Sequence, residues 1–428
     1  MKVCVIGAGL AGLTCAWHLA RDGHEVVVLE KAPGPGEGAS RANGGQLSYS
    51  YVTPLAAPGV VRKGFAWMLD GDAPMRLRPQ MDTRLWRWLM AFVRASRRSV
   101  FEAGIRDMLA LAFLSRDVLT TMMTEETLDF SYRKNGKLVV FRDEAELVSA
   151  HELVALQARH GSHQSLVNER ECIEIEPALA GGTQRIAGGV FTPDEAVGDA
   201  YRFCQSLRTC LEERYGVAFH FGLEASALEC GGGRTSAVRT RLGLIEADHF
   251  VLSSGIDALM LAEPIGLSLP LYPLKGYSLT SPIRVTDRPP AVSITDAQNK
   301  VVYAALEGAR VGAEGRMRVA GMVDLVGFAN DIVTRRTDTL TRQAREAFPC
   351  AADWSRADAW SGLRPATPDW KPILGQSDIP GLWLNVGHGG LGFTIACGTG
   401  RLVADLIAGR TTPIATQPYA LNGRSQTF

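Results

Sequence analysis
Val3-Cys4-Val5-Ile6-Gly7-Ala8-Gly9-Leu10-Ala11-Gly12 decides the fold of this 428-residue chain. Val3 to Ile6 is a short apolar run rich in β-branched residues, the pattern of a strand buried in a parallel sheet. Gly7 to Gly12 then fits GxGxxG. Leu13, Ala16, Trp17, Leu19 and Ala20 follow at helical spacing, and Gly23 ends the helix. Glu25-Val26-Val27-Val28-Leu29 is a second strand, closed by Glu30. In that order each piece has a task in binding a dinucleotide. Gly7 makes the tight turn, Gly9 lets the backbone approach a pyrophosphate, and Gly12 lets helix and strand pack closely. The helix start, including Ala8, Leu10 and Ala11, offers N–H groups and a positive dipole end to phosphate. Glu30 can accept hydrogen bonds from a ribose diol and repels a 2′-phosphate. NADP is therefore disfavoured, and FAD and NAD both remain.

Outside this unit the composition narrows the field. At roughly 100–200 residues per domain, the length suggests two or three domains. The chain is 46% hydrophobic and 21% charged, which excludes a largely disordered protein. Forty-five basic residues balance 45 acidic ones, which argues against a nucleic-acid partner. None of the eight cysteines forms a CxxC pair, and no His/Cys cluster has zinc spacing, so no metal site is expected. Cys4 and Cys15 read as small apolar core residues in a reduced, cytoplasmic compartment. The first strand begins at the N-terminus, so no signal peptide is expected. Ile379 to Gly400 is uncharged, but its seven glycines, with Pro380, Asn385 and His388, argue against a spanning helix.

Farther along, Ser40-Arg41-Ala42-Asn43-Gly44-Gly45-Gln46-Leu47-Ser48 is a small polar loop, either solvated or passing close to a flat ring or phosphate. Phe250 to Gly255 looks like a buried strand ending at a cofactor-facing turn. Leu382 to Gly387 reads as another buried strand. It leads through His388-Gly389-Gly390-Leu391-Gly392-Phe393-Thr394 into a helix from about 395 to 408. That glycine-rich helix start is a second site for negative charge. One long cofactor held between the two ends of the chain accounts for both.

Taken together, these motifs resemble the FAD-dependent D-amino-acid oxidase superfamily, and most closely the small subunit of the bacterial D-amino-acid dehydrogenases. The resemblance rests on Gly7 to Gly12 with Glu30-Lys31, on Ser40 to Ser48, and on Ala57-Pro58-Gly59-Val60. It extends through Tyr272-Pro273-Leu274-Lys275-Gly276-Tyr277-Ser278-Leu279-Thr280, Gly362-Leu363-Arg364-Pro365-Ala366-Thr367-Pro368-Asp369 and Leu384 to Gly390. It departs at Tyr49-Ser50, a region expected to shape substrate access. The fold class implied is α/β plus α+β: a Rossmann-like FAD domain interleaved with an antiparallel-sheet substrate domain. The FAD domain would comprise 1–50, 165–262 and 360–428, and the substrate domain 51–164 and 263–359. The β-branched segments 136–141 and 300–303 suit the second sheet. Residues 411–428 read as a polar surface tail. The resemblance also implies cofactor contacts from Ala225, Gly255 and Arg364. No cysteine lies in 360–370, where some relatives attach flavin, so the FAD is expected to be non-covalent.

Oxidising an amino acid moves a hydride from Cα to flavin N5 and leaves an imine that water hydrolyses to a 2-oxo acid and ammonia. The protein must hold Cα in place and recognise the carboxylate. Arginine is the fitting partner for a carboxylate, and Arg364 is the candidate. The plain alternative is a structural ion pair with Asp369. Tyr277 could bond the substrate or close the pocket, or be a satisfied core tyrosine. His388 could contact the ring or be structural, and Tyr303 is a further candidate. No general base is required.

Residues 59–99 carry nine arginines and lysines against three aspartates, with Trp67, Trp86 and Trp88 among them. Basic residues interleaved with aromatics suit an anionic membrane surface, where electrons could pass to a quinone or another carrier. The bland reading is a pair of packed helices with a solvated basic face. Competing functions are a D-proline or hydroxy-D-proline dehydrogenase, an oxygen-using amine oxidase, or a flavin-containing assembly subunit.

Overall fold
The computed structural model describes residues 1–60, 72–306 and 315–422. Lys2–Ile6, the strand of the opening motif, pairs in parallel with Glu25–Glu30 on one side and His249–Leu252 on the other. The sheet has six strands, in the order Ile373–Gln376, Leu382–Val386, His249–Leu252, Lys2–Ile6, Glu25–Glu30, Ala218–Phe221. Only Ile373–Gln376 runs antiparallel to its neighbour. Burial on both faces accounts for the unbroken apolar runs. Helices Leu10–Arg21, Arg98–Glu125, Ala200–Tyr215 and Gly392–Ile407 share one core with a face of this sheet. Gly400 is essential to that packing, because a Cβ there would stand 2.7 Å from Cys15 N.

A nine-stranded sheet forms the other half. Its main path runs Asp358–Ala366, Tyr272–Ile283, Gly315–Leu325, Val301–Leu306, Ser293–Asp296, Lys137–Phe141, Gly188–Thr192, Ser165–Asn168. The expected antiparallel sheet is mixed: Ser293–Asp296 pairs in parallel with Lys137–Phe141, and Met75–Leu77 in parallel with Gly315–Leu325. One face of this sheet packs against helix Thr334–Ala347. The other carries Val302 and Ala320, against which Gly44 of the 40–48 loop is pressed.

The strands do not respect the segment boundaries read from the sequence. Ser165–Asn168, Gly188–Thr192 and Asp358–Ala366 hydrogen-bond into the large sheet. Helix Arg98–Glu125, placed with the substrate segment, instead packs in the nucleotide-side core. Local pattern reveals a strand but not which sheet edge completes its ladder. Residues 411–422 are likewise more than a surface tail. Tyr419 is buried and its hydroxyl donates to Asp107 O, while 423–428 lie outside the described residues.

Candidate active site
The dinucleotide turn has the geometry its sequence requires. Gly7 has φ of +108°, and a Cβ on Gly12 would stand 1.9 Å from Gly7 O, so neither position admits a side chain. Gly9 caps helix Leu10–Arg21 without a side-chain hydrogen bond, and Leu10 N faces Ser40 Oγ at 3.5 Å. Glu30 sits beside the turn, accepting from Ala8 N and Ala32 N, each at 2.8 Å. A cradle with no room for a Cβ, a helix start with no side-chain cap and an adjacent carboxylate together fit the diphosphate and ribose of FAD. Lys31 and Arg41 turn outward into ion pairs, with Asp257 at 2.6 Å and Glu37 at 2.7 Å. Ala225 and Gly255 lie beyond the strand ends, Ala225 against the second apolar core and Gly255 in a single 3₁₀ turn.

The 40–48 loop is held from several directions. Ala42 is buried, and Asn43 Oδ1 accepts from Gly45 N at 3.0 Å. Asn43 O accepts from Arg318 Nη1 at 2.8 Å, and burial pushes that guanidinium down to about 10. Gln46 and Leu47 pair with Val197 and Ala196. Beneath them Lys137 Nζ donates to Gln46 Oε1 and Ser48 Oγ, both at 2.8 Å. Glu195, also buried, accepts from Tyr49 N and Ser50 N. Burial lowers the pKa of Lys137 and raises that of Glu195, and each charge partly restores the other. Ser48 N donates to Thr394 Oγ1 at 3.0 Å, joining the loop to the first turn of helix Gly392–Ile407. That helix also has no side-chain cap, and the 3₁₀ turn Gly389–Leu391 precedes it.

Arg364 lies on strand Asp358–Ala366, opposite Leu274. Its guanidinium covers Gly276, where a Cβ would stand 2.2 Å from Nη2. The paired Gly362 is covered in the same way by the Trp360 indole. Nη1 donates to Met322 O at 2.9 Å, and among the described residues no carboxylate pairs with Arg364. Asp369, the partner of the plain reading, lies with Oδ2 3.9 Å from Lys371 Nζ. Desolvation alone brings the Arg364 pKa to about 10. A Cβ on Gly390 would lie 3.9 Å from Arg364 Cδ, so arginine and glycine-rich helix start are neighbours. The carboxylate candidate and the second anion site thus meet, as their spacing in sequence could not show.

The tyrosines are elsewhere. Tyr277 follows Gly276, so its side chain leaves the opposite face of the sheet from Arg364. Its hydroxyl donates to the buried Asp324 at 3.0 Å, where Arg336 and Arg76 also converge. Desolvation and then the Asp324 charge raise its pKa. Tyr303 is on that same helix-covered face, edge-on to Phe348 at 5.0 Å. His388 is brought close to Arg364 through the backbone bridge Ala366–His388. Its ring is tied to Thr399 Oγ1 by Nε2 at 3.0 Å, and burial lowers its pKa to about 4. The structure thus gathers Arg364, Gly389, Gly390 and His388, and separates Tyr277 and Tyr303 from them. Trp360 and Trp370 beside Arg364 were not identified in the sequence. No periodic or motif signal in the sequence marks a lone tryptophan as the neighbour of such glycines.

Of the 59–99 segment, residues 61–71, including Trp67, lie outside the described residues. Helix Thr83–Ala95 buries Leu85, Trp88 and Phe92 and exposes Trp86, Met90 and Val93. Arg87 and Arg94 on the same helix are exposed. Gly389–Ile407 is long and apolar enough to cross a membrane, but most of it is packed inside the protein.

A dinucleotide cradle, a second helix start without a side-chain cap and a desolvated arginine beside that second start are features that suit a flavin-dependent oxidoreductase. The chain belongs to the FAD dependent oxidoreductase family, whose description matches residues 2–406. It is 45% identical to D-amino acid dehydrogenase 2 of Ralstonia nicotianae, covering 98% of this chain and 100% of that protein. It is 44% identical to D-amino acid dehydrogenase 2 of Pseudomonas aeruginosa, covering 97% of each. The fold is shared with glycine oxidase from Geobacillus kaustophilus, with TM-score 0.76 at 21% identity over 98% of both chains. The protein is an FAD enzyme with a Rossmann-like half and a sheet-based second half, as expected.

Proposed function
We propose that this protein oxidises D-amino acids at Cα and passes the electrons to a membrane quinone or similar carrier. The observation that carries the reading is Arg364: a desolvated guanidinium with one backbone acceptor and no carboxylate partner among the described residues. Its remaining N–H groups suit a bidentate carboxylate. The D preference follows from the similarity to D-amino acid dehydrogenases. Bound FAD supplies two-electron acceptance, which converts the amine to an imine that water hydrolyses to a 2-oxo acid and ammonia. Gly7, Gly9 and Gly12 with Glu30 would hold the nucleotide end of a non-covalent FAD, and the start of helix Gly392–Ile407 its ring end. Arg364 orients the substrate by its carboxylate, and the sheet behind it fixes the guanidinium through Met322 O. His388, bonded to Thr399, supports the glycine turn rather than moving a proton. For the acceptor, the support is the exposed Trp86, Met90 and Val93 beside Arg87 and Arg94, which suit an anionic bilayer.

The test is anaerobic mixing of the purified protein with panels of D- and L-amino acids, including prolines. Bleaching of the flavin band near ~450 nm, typical of the cofactor class, by D-substrates supports the reading. Bleaching by L-substrates alone, or by none, refutes it. Arg364→Ala should lower kcat/KM about 10–150-fold, the equivalent of roughly 1.5–3 kcal/mol for a charge-assisted contact.

A further inference from the structure
Trp370 has φ of +68°, a conformation that a bulky L residue adopts only when its surroundings hold it there. It closes the turn after the arginine strand by donating Trp370 N to Thr367 O at 3.3 Å. The backbone at this position calls for glycine. The side chain shows what tryptophan adds. A Cβ on Gly389 or Gly390 would stand 3.6 Å from the indole, and the Gly390 position is also 3.9 Å from Arg364 Cδ. Indole and arginine stem therefore flank the same exposed glycine. Behind, the indole packs against the buried cluster containing Trp88, Tyr272, Leu274 and Ala366. It stays half-buried, and its N–H meets no acceptor among the described residues.

We propose that Trp370 is a specificity-determining wall of the substrate pocket, standing beside the carboxylate held by Arg364 and restricting the substrate side chain to small apolar groups. This rests on the reading of Arg364 as the carboxylate clamp. Gly276 lies against the guanidinium, whose Nη1 bonds Met322 O, while Gly390 borders both the arginine stem and the indole; none of these groups offers charge to a substrate side chain.

The test uses the FAD-loaded full chain and the variants Trp370→Gly and Trp370→Phe. Glycine accepts the positive φ without strain, and a thermal midpoint checks that the variant folds. The ratio of kcat/KM for D-phenylalanine to that for D-alanine should rise about tenfold or more in Trp370→Gly, the range expected for pocket volume. It should change less than about threefold in Trp370→Phe, well inside that range. An unchanged ratio in Trp370→Gly overturns the inference. If no D-amino acid reduces the flavin, the functional reading has failed, and inhibitor-type carboxylates decide instead. Acetate and benzoate binding is then followed through the flavin spectrum. A comparable gain for benzoate over acetate in Trp370→Gly keeps the wall, and no gain overturns it.

Discussion

Arg364 and Tyr277 are one strand apart, yet the pleat of the sheet directs them to opposite faces. Arg364 faces the glycine-rich helix start; Tyr277 joins a buried ionic network centred on Asp324. Tyr277→Phe should therefore leave kcat/KM within about twofold while lowering stability by about 1 kcal/mol, the usual net value of one hydrogen bond. Asp324 keeps Arg336 and Arg76, so the loss stays small. Steady-state kinetics and urea denaturation check both parts. A tenfold kinetic loss without a stability change would return Tyr277 to the catalytic group.

At the scale of elements, the 40–48 loop is the joint between the two sheets. Lys137 reaches it from the large sheet, and Thr394 binds it from helix Gly392–Ile407. Lys137→Met removes two charge-assisted hydrogen bonds at roughly 1.5–3 kcal/mol each, part of which acts on the bound state. FAD affinity of the apoprotein should fall at least about tenfold, equivalent to about 1.4 kcal/mol. Flavin fluorescence quenching measures it, and an unchanged affinity would show that the loop holds its shape without the lysine.

For the whole molecule, buried neutral histidines contribute to acid sensitivity. Burial lowers His18 to about 3 and His388 to about 4, against an ordinary 6.5. Both folded values lie below the unfolded one, so the unfolded chain binds protons first as pH falls. The stability these histidines contribute is present above about pH 6.5 and is lost as pH falls, toward about 4 for His388 and about 3 for His18. Each histidine should cost about 2 kcal/mol between about pH 7 and pH 5 by linkage. His388→Gln should remove about half of the pair's contribution, measured by denaturant titration at the two pH values. The outer surface carries a separate prediction. Replacing Trp86, Met90 and Val93 by serine should reduce sedimentation with anionic vesicles severalfold, with dye-linked turnover unchanged. Equal binding by the variant would leave the helix face without a role at membranes.

The dinucleotide half was legible because its requirements are local. A tight turn, a close helix approach and an acid at the next strand end are satisfied by Gly7, Gly9, Gly12 and Glu30 within thirty residues. Arg364 stood out as a candidate as well, since a planar cation within a glycine- and proline-rich strand end suits a carboxylate. What only the tertiary structure decided was direction and company. Strand parity, set by pairing with Tyr272–Ile283, turned Arg364 toward the glycines and Tyr277 away. The ladders also moved Ser165–Asn168 and Gly188–Thr192 into the large sheet, because an edge is completed by whichever strand reaches it. Trp370 became a pocket wall only when a turn at positive φ folded its ring over Gly389 and Gly390, nineteen and twenty residues away. Motifs encode what the backbone must do nearby; which side chains meet across the fold depends on contacts that no short stretch contains.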